Sequence, residues 1–290
     1  MKIAIFGTSI SADFKPKVEE IIHSFITAGL NLVMYQDFKN CLNTNDFSIN
    51  NIQVFTSIKE TQADMIISLG GDGTFLKCAH LCHTENTPIL GINFGKLGFL
   101  AQTNPNEIDQ IIKLIKEKKY TLQKRTLLDF SYKNKNKKIS GIGLNEITLQ
   151  KSNAVKLIKL NIFVDSEFLC SFWADGVAIS TPTGSTGYSL SLGSPILTPD
   201  NHSVIITPIA PHTLNIRPII IPDNKKITIE ATGEFTEFLI SNDYISQIVT
   251  QNPSINIRKS KYTISTVEFY SKNFFGTLRE KLNLGMDIRK

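Results

Sequence analysis

Apolar residues recur along this chain with two different rhythms. In the first ~120 residues short apolar runs alternate with helical patterns. Ile3–Phe6 reads as a strand. Val18, Ile21, Ile22, Phe25 and Ile26 fall at i, i+3, i+4, i+7 and i+8, which predicts an amphipathic helix stopping at Gly29. Leu30–Tyr35 reads as the next strand. Met65–Leu69 is a short apolar run that ends in Gly70-Gly71, the mark of a strand covered on both faces. A helix is predicted over Thr74–Cys82, a strand over Ile89–Ile92, and a helix through Ile108, Ile111, Ile112 and Ile115, begun by Asn106. Strand–helix alternation at this spacing predicts a parallel, doubly wound α/β sheet.

From about Leu122 the rhythm changes to period two. Ile158, Leu160, Ile162 and Val164 share one strand face. Ile227 with Ile229, Ile255 with Ile257, and Tyr262 with Ile264 repeat the alternation. This predicts an all-β domain of two packed sheets. Leu278–Leu284 returns to helix chemistry, and a C-terminal helix is expected to go back to the first domain. The expected domains are 1–122 with about 272–290, and 123–271. Lys133–Lys138 is a run of Lys and Asn that suits a solvated hairpin tip better than a nucleic-acid contact.

Composition narrows the class. At roughly 150 residues per domain, 290 residues fit two domains. With 41% hydrophobic and 20% charged residues the chain is neither disordered nor collagenous. A formal charge of +5 suits an anionic partner and is too small to argue for nucleic acid. Four cysteines, Cys41, Cys78, Cys82 and Cys170, are too sparse for a disulfide scaffold and point to a reducing cytoplasm. Val204–Pro222 is the most apolar long stretch, but its prolines, His212 and Arg217 exclude a membrane span. Cys78, His80, Cys82 and His83 crowd one helix with His80 off the cysteine face, so packing is preferred to zinc.

Three segments carry chemistry. Gly70-Gly71-Asp72-Gly73-Thr74 lies between a strand and a helix, where glycines admit a close ligand and the helix start favours phosphate. A carboxylate there repels phosphate, so Asp72 suits a metal or a proton transfer; a tight turn with a capping Asp is the plainer alternative. Gly91–Leu97 is one residue short of a P-loop and lacks its Ser/Thr. Gly71–Leu76 lacks the third glycine of a dinucleotide fingerprint. The second segment, Thr181–Ser191, is dense in hydroxyls and glycines, with Tyr188 available to stack on a ring; a Ser/Thr-rich hairpin is its alternative. The third, Asn145-Glu146, lies between apolar strands where carboxylates often meet ribose hydroxyls.

In combination these segments resemble the NAD kinase family. The matching stretches are Gly70–Thr74, Asn93–Leu100, Asn145-Glu146, Asp175–Ser191, Thr207–Leu214 with Arg217-Pro218, and Leu278-Arg279 with Lys281-Leu282. They keep the family's order and cover nearly the whole chain. The Gly-Gly-Asp-Gly-Thr loop is shared with lipid kinases and phosphofructokinases; the Thr-Pro-Thr-Gly-Ser-Thr-Gly-Tyr loop singles out NAD kinases. The resemblance implies a Rossmann-like, phosphofructokinase-like first domain. It also implies phosphoryl transfer from ATP, or polyphosphate, to the 2′-hydroxyl of the adenosine ribose of NAD. Asp72 would accept the proton, with Gly70, Gly71 and Thr74 forming the phosphate loop and Gly73 admitting the ligand.

By the same resemblance Asn145 and Glu146 hold a ribose, and Asp175 contacts the nicotinamide end, often across a subunit boundary. Thr186, Gly187, Tyr188, Ser189, Leu190 and Ser191 form the adenine-side loop. Lys77 would reach a phosphate, Lys156 continues the Asn-Glu pair, and Ala210 lines the ligand. A divalent cation, Mg²⁺, is expected with ATP, with no metal cage of the protein's own. The family implies a cytoplasmic homodimer or homotetramer with no membrane or nucleic-acid partner. The sequence departs from the family pattern at Trp173, at Gly187 in place of the commoner Ala, and at Ser241–Ile245, which leaves Asp243 and Gln247 without a role. His212 is expected to pack or to bond through its backbone. A diacylglycerol-type lipid kinase and a non-catalytic NAD(H)-binding module are the alternatives.

Overall fold

Uniformly apolar runs become central strands, as their burial requires. In the computed structural model, which describes residues 1–95, 98–134, 137–152, 157–232, 237–250, 252–270 and 273–285, two units separate: Met1–Lys124 with Ile264–Lys290, and Arg125–Thr263. The strands of the first are β1 (Lys2–Gly7), β2 (Asn31–Tyr35), β3 (Gln53–Phe55), β4 (Met65–Leu69) and β5 (Ile89–Ile92). They pair in parallel in the order β5-β4-β1-β2-β3. The residues around Thr266 continue the sheet by pairing in parallel with Ile89. The helices are α1 (Lys15–Thr27), α2 (Gln36–Leu42), α3 (Phe47–Asn50), α4 (Asp72–Cys82) and α5 (Ile108–Lys116).

The apolar stripe of α1 buries Val18, Ile21, Ile22 and Phe25 against Ile3, Ile5, Met34 and Phe38. Gly29, at φ +73°, ends that helix in the left-handed conformation that glycine adopts without strain. Cys78 and Cys82 are fully buried on α4, and burial pushes the Cys78 thiol up.

Two expected helix starts in the α/β unit's first 124 residues are corrected. The helix placed at Thr74 begins at Asp72, because Gly71 is already the N-cap. The helix expected to begin at Asn106 is capped two residues earlier. The Asn104 side chain accepts from the Asn106 backbone N–H at 2.9 Å, Pro105–Glu107 form one 3₁₀ turn, and α5 starts at Ile108. Proline at the first position fits, since that residue's N–H needs no helical partner. The short α2 and α3 carry too few periodic positions to be seen in the sequence.

The second unit is antiparallel throughout, which suits strands with one polar face. Its strands are β6 (Thr121–Asn134), β7 (Lys137–Gly143), β8 (Glu146–Lys151), β9 (Ile158–Val164), β10 (Glu167–Ala174), β11 (Gly176–Ser180), β12 (Ser203–Ile209), β13 (Ile219–Pro222), β14 (Ile227–Thr232), β15 (Glu237–Asn242), β16 (Ile245–Thr250) and β17 (Ser254–Glu268), with one helical turn α6 (Tyr188–Ser191). One sheet runs β13-β12-β11-β8-β15-β16. The other contains β10-β9-β14-β17, with β6 paired to β17 and β7. Ile147, Leu149, Val177, Ile179 and Ile240 of the first meet Leu160, Ile162, Ile229, Ile255 and Ile257 of the second in one core.

The alternating set on β9 is buried at Ile158, Leu160 and Ile162. The segments through Ile255 and Ile264 are one strand, β17. Lys133 pairs with Lys138 near the tip of the β6–β7 hairpin and both are exposed; Lys135 and Asn136 lie outside the described residues. The C-terminal helix α7 (Phe274–Leu282) belongs to the first unit, as expected. It starts four residues before the expected position, because the Asn273 side chain accepts from Gly276 N at 2.8 Å. Phe274 meets Phe99, and the Lys281 ammonium sits 4.7 Å from the Phe99 ring centre.

The corrected cap is testable. Asn104→Ala is expected to lower stability by about 1 kcal/mol, and Asn106→Ala to change it by less than about 0.5 kcal/mol. Denaturant midpoints of the two variants read this directly; equal losses would return the cap to Asn106.

Candidate active site

In the first unit the site begins where β4 runs out. Gly70 has φ +149°, and a Cβ there would sit 2.4 Å from Thr74 Oγ1, so only glycine fits. The Gly71 carbonyl accepts from Thr74 N at 3.0 Å and Phe75 N at 3.1 Å, which starts α4. Asp72 is therefore the first helical residue, with its side chain at the positive end of the helix. Its carboxylate is held by three consecutive amides from a loop 27 to 29 residues away. Oδ2 accepts from Phe99 N at 2.9 Å, and Oδ1 accepts from Leu100 N at 3.1 Å and Ala101 N at 2.9 Å.

Two glycines let that loop approach. A Cβ on Gly98 would lie 2.0 Å from Asp72 Oδ1, and one on Gly91 would lie 2.6 Å from Ala101 Cα. A carboxylate oxygen offers about two lone pairs. Oδ1 has used both and Oδ2 one, so Oδ2 keeps a single acceptor position.

The other expected residues of this loop separate by environment. The Thr74 hydroxyl lies 3.4 Å from the Thr8 hydroxyl, on the inner side of the turn. A Cβ at Gly73 would meet nothing within 4 Å, so the chain itself does not demand glycine there. Lys77 is exposed on α4.

In the second unit the site gathers at the β7–β8 turn. Asp243, in the β15–β16 turn with φ +53°, accepts from three consecutive amides: Oδ2 from Leu144 N at 2.7 Å, Oδ1 from Asn145 N at 2.7 Å and from Glu146 N at 3.2 Å. Asp243 N donates back to the Glu146 carbonyl at 3.1 Å. The carbonyls on the other side are taken by Thr181, whose hydroxyl donates to Leu144 O at 2.5 Å and whose N–H donates to Asn145 O at 2.9 Å. A Cβ at Gly184 would be 2.0 Å from Asn145 O, so the Thr181–Ser191 loop lies directly on the Asn145-Glu146 backbone.

The backbone there is saturated, and the side chains are what remain. A Cβ at Gly187 would come within 3.3 Å of both Asn145 Nδ2 and Glu146 Oε2. Glu146 is 8% exposed, and its Oε2 is buried without a hydrogen-bond partner in the chain. Burial pushes its carboxyl up to about 8, and the negative charge of Asp243 adds to the rise. Thr186 donates to Thr183 O at 3.1 Å, Tyr188 is exposed at the start of α6, Ser189 is buried with an unpartnered hydroxyl, Leu190 is half-buried and Ser191 exposed.

Asp175 and Ala210 come together at the other end of β11, where Asp175 N donates to Ile209 O at 3.0 Å. Asp175 is ion-paired with Lys151 at 2.5 Å, and Ala210 is exposed with φ +44°. The five residues of β11 separate this pair from the Thr181 loop by roughly 15 Å. Trp173 is 48% exposed on β10. His212 bonds Trp173 O through its backbone at 2.9 Å, as expected, but its ring is exposed rather than packed. Gln247 lies on β16 opposite Ile240. Lys156 lies outside the described residues. The sequence reading missed Gly98, visible only as part of Gly-Phe-Leu, and met Asp243 only as a departure from a pattern.

The carboxyl of Glu146 makes folding pH-dependent. Its folded value lies above the ordinary 4.5, so its contribution is complete below about 4.5 and is lost as pH rises through about 8. Glu146→Gln is expected to flatten thermal stability across that window and to raise the midpoint at pH 8 relative to the native chain. Parallel thermal melts at pH 5 and 8 test this; an unchanged slope would mean Glu146 ionises normally.

Comparison with known proteins places both halves. Residues 10–120 match the model of the ATP-NAD kinase N-terminal domain, and residues 144–269 that of the ATP-NAD kinase C-terminal domain. Proteins named NAD kinase from Flavobacterium psychrophilum and Bacteroides fragilis are 40% and 36% identical, each aligned over 100% of both chains. The crystal structure of yeast NADH kinase complexed with NADH superposes with TM-score 0.88 at 27% identity, covering 100% of this chain and 89% of that one. An NAD kinase from Archaeoglobus fulgidus in complex with ATP shares the fold, with TM-score 0.73 at 23% identity over 96% and 99% of the two chains.

Proposed function

The chain belongs to the NAD kinase family, and from that premise we propose how its residues divide the transfer of a phosphoryl group from ATP to NAD. The activity is that of an ATP-dependent NAD phosphotransferase. The acceptor is the 2′-hydroxyl of the adenosine ribose, and Asp72 Oδ2 takes its proton as the new O–P bond forms and the bond from the terminal phosphorus of ATP to its bridging oxygen breaks, releasing ADP. The observation that carries this role is the acceptor count at Asp72: three amides fix the carboxylate and leave one position on Oδ2. A base fixed in this way needs no reorientation when the hydroxyl arrives. Gly70, Gly71 and Thr74 shape the turn for the donor phosphates at the start of α4, and Lys77 adds a positive charge one turn on.

Asn145 and Glu146 hold the ribose, with Gly187 leaving the space beside them. Glu146 Oε2, buried and unpartnered in the chain, finds its hydrogen bond there. Thr186 to Ser191 flank the adenine with Tyr188 against the ring. Asp175 serves the nicotinamide end across a subunit boundary, and Ala210 lines the ligand. Mg²⁺ comes with the nucleotide. Among the described residues no group of three or more His, Cys, Asp or Glu is placed to hold a metal ion, and Asp72 is already engaged by three backbone amides. When bound, that ion supplies charge neutralisation on the transferring group. The family pattern supports a homodimer or homotetramer. The four cysteines, all unpaired, support a cytoplasmic setting, and no described helix is long and apolar enough to cross a membrane.

Asp72→Asn tests the base. The Asn oxygen can keep the Leu100 and Ala101 bonds while proton acceptance is lost. We expect kcat to fall by ~10²–10⁴-fold with NAD binding retained. NADP formation from NAD, ATP and Mg²⁺ measures this; a kcat within about threefold of the native value would remove Asp72 from the chemistry.

A further inference from the structure

We infer that Asp243 is a positioning residue for NAD, acting through the Asn145-Glu146 pair that its carboxylate holds by three backbone amides. The inference rests on the reading of that pair as the ribose holder. Asp243 lies 97 to 99 residues further along the chain than the amides it binds, so the contact is a tertiary clamp and not a local turn. It closes from both ends: the carboxylate accepts from Leu144, Asn145 and Glu146, and the Asp243 amide donates to the Glu146 carbonyl. Beside it, the Asn242 side chain donates to Ile142 O at 2.7 Å, which fixes the strand leading into the turn. Gly143 turns tightly enough that a Cβ would fall 2.9 Å from Glu146 O.

The turn cannot supply its own acceptors for three adjacent N–H groups pointing one way, and the carboxylate accommodates all three. With these amides on Asp243 and the Leu144 and Asn145 carbonyls on Thr181, the backbone of residues 144–146 has one arrangement. The Asn145 and Glu146 side chains then project from a fixed base toward Gly187. Asp243 itself touches no substrate in this scheme. Its effect should appear in NAD affinity and leave the phosphoryl step largely alone.

The test is steady-state kinetics of Asp243→Asn, Glu146→Ala and the double variant. Asn cannot accept at both oxygen positions, so Asp243→Asn is expected to raise KM for NAD on the order of ten- to a hundredfold. In the same variant kcat should stay within about threefold and KM for ATP should not move. On the Glu146→Ala background the same change should raise KM for NAD by a clearly smaller factor than it does alone, because one of the two side chains it positions is gone. A merely structural role would lower active enzyme and kcat in both backgrounds alike.

If Glu146→Ala raises KM for NAD and Asp243→Asn does not, the positioning role fails and the ribose reading survives. If Glu146→Ala leaves KM for NAD unchanged, the ribose reading fails and the role of Asp243 falls with it. Should Asp243→Asn not fold, Asp243→Ser, which retains one acceptor, is read by the same kinetics. Amide exchange on the native enzyme supplies the independent measurement: the Leu144, Asn145 and Glu146 amides should be protected before NAD is added. Exchange as fast as an open loop would overturn the clamp.

Discussion

Three adjacent backbone amides that turn away from a strand need acceptors, and a single carboxylate can receive them all. The chain uses this device twice. Asp72 receives the amides of Phe99, Leu100 and Ala101, and Asp243 receives those of Leu144, Asn145 and Glu146. Each is a charge-assisted set of bonds from a carboxylate to neutral N–H groups, stronger than neutral pairs and costly to leave half made. Each lies inside its own unit. The difference between them lies in what each holds. The first clamp immobilises the carboxylate of Asp72 itself; the second immobilises the backbone that carries the Asn145 and Glu146 side chains.

Glycines are the condition for both clamps. Gly98 and Gly91 let the 98–101 loop lie against Asp72 and β5, at separations where any Cβ would overlap. Gly184 and Gly143 do the same for the turn at Asn145. A backbone at such distances has few alternative conformations, so its amides are already aimed before ligand binds. That is preorganisation in its cheapest form, because the ordering cost is met on folding and not on binding.

Local patterns in the sequence carried the framework well. The short apolar runs at Ile3–Phe6, Met65–Leu69 and Ile89–Ile92 became central parallel strands, and the period-two run from Ile158 became β9. Burial on two faces or on one dictates those patterns residue by residue, so they can be read without the fold. The starts of α4, α5 and α7 were misplaced because caps depend on one side chain or one glycine rather than on periodicity. Motif resemblance picked out Asp72, Asn145 and Glu146. It could not show what holds them, since partners 27 to 29 and 97 to 99 residues away leave no local mark. Asp243 is the clearest case: in the sequence it is one acidic residue in a turn, and in the structure it is the acceptor on which the Asn145-Glu146 backbone depends.

Glu146 shows why such a clamp has a cost in its own charge balance. The Asp243 carboxylate that holds the turn lies close to Glu146, and burial, with the negative charge of Asp243 added to it, favours the protonated form of Glu146. A protonated carboxyl can donate one hydrogen bond as well as accept, whereas an ionised one only accepts. A hydroxyl can donate or accept, so a carboxyl near its titration point can match either orientation of one. The same neighbour that orders the backbone therefore also sets which hydrogen-bonding form the side chain presents. Geometry and protonation at this turn are then two consequences of one residue, and a change at Asp243 alters both together.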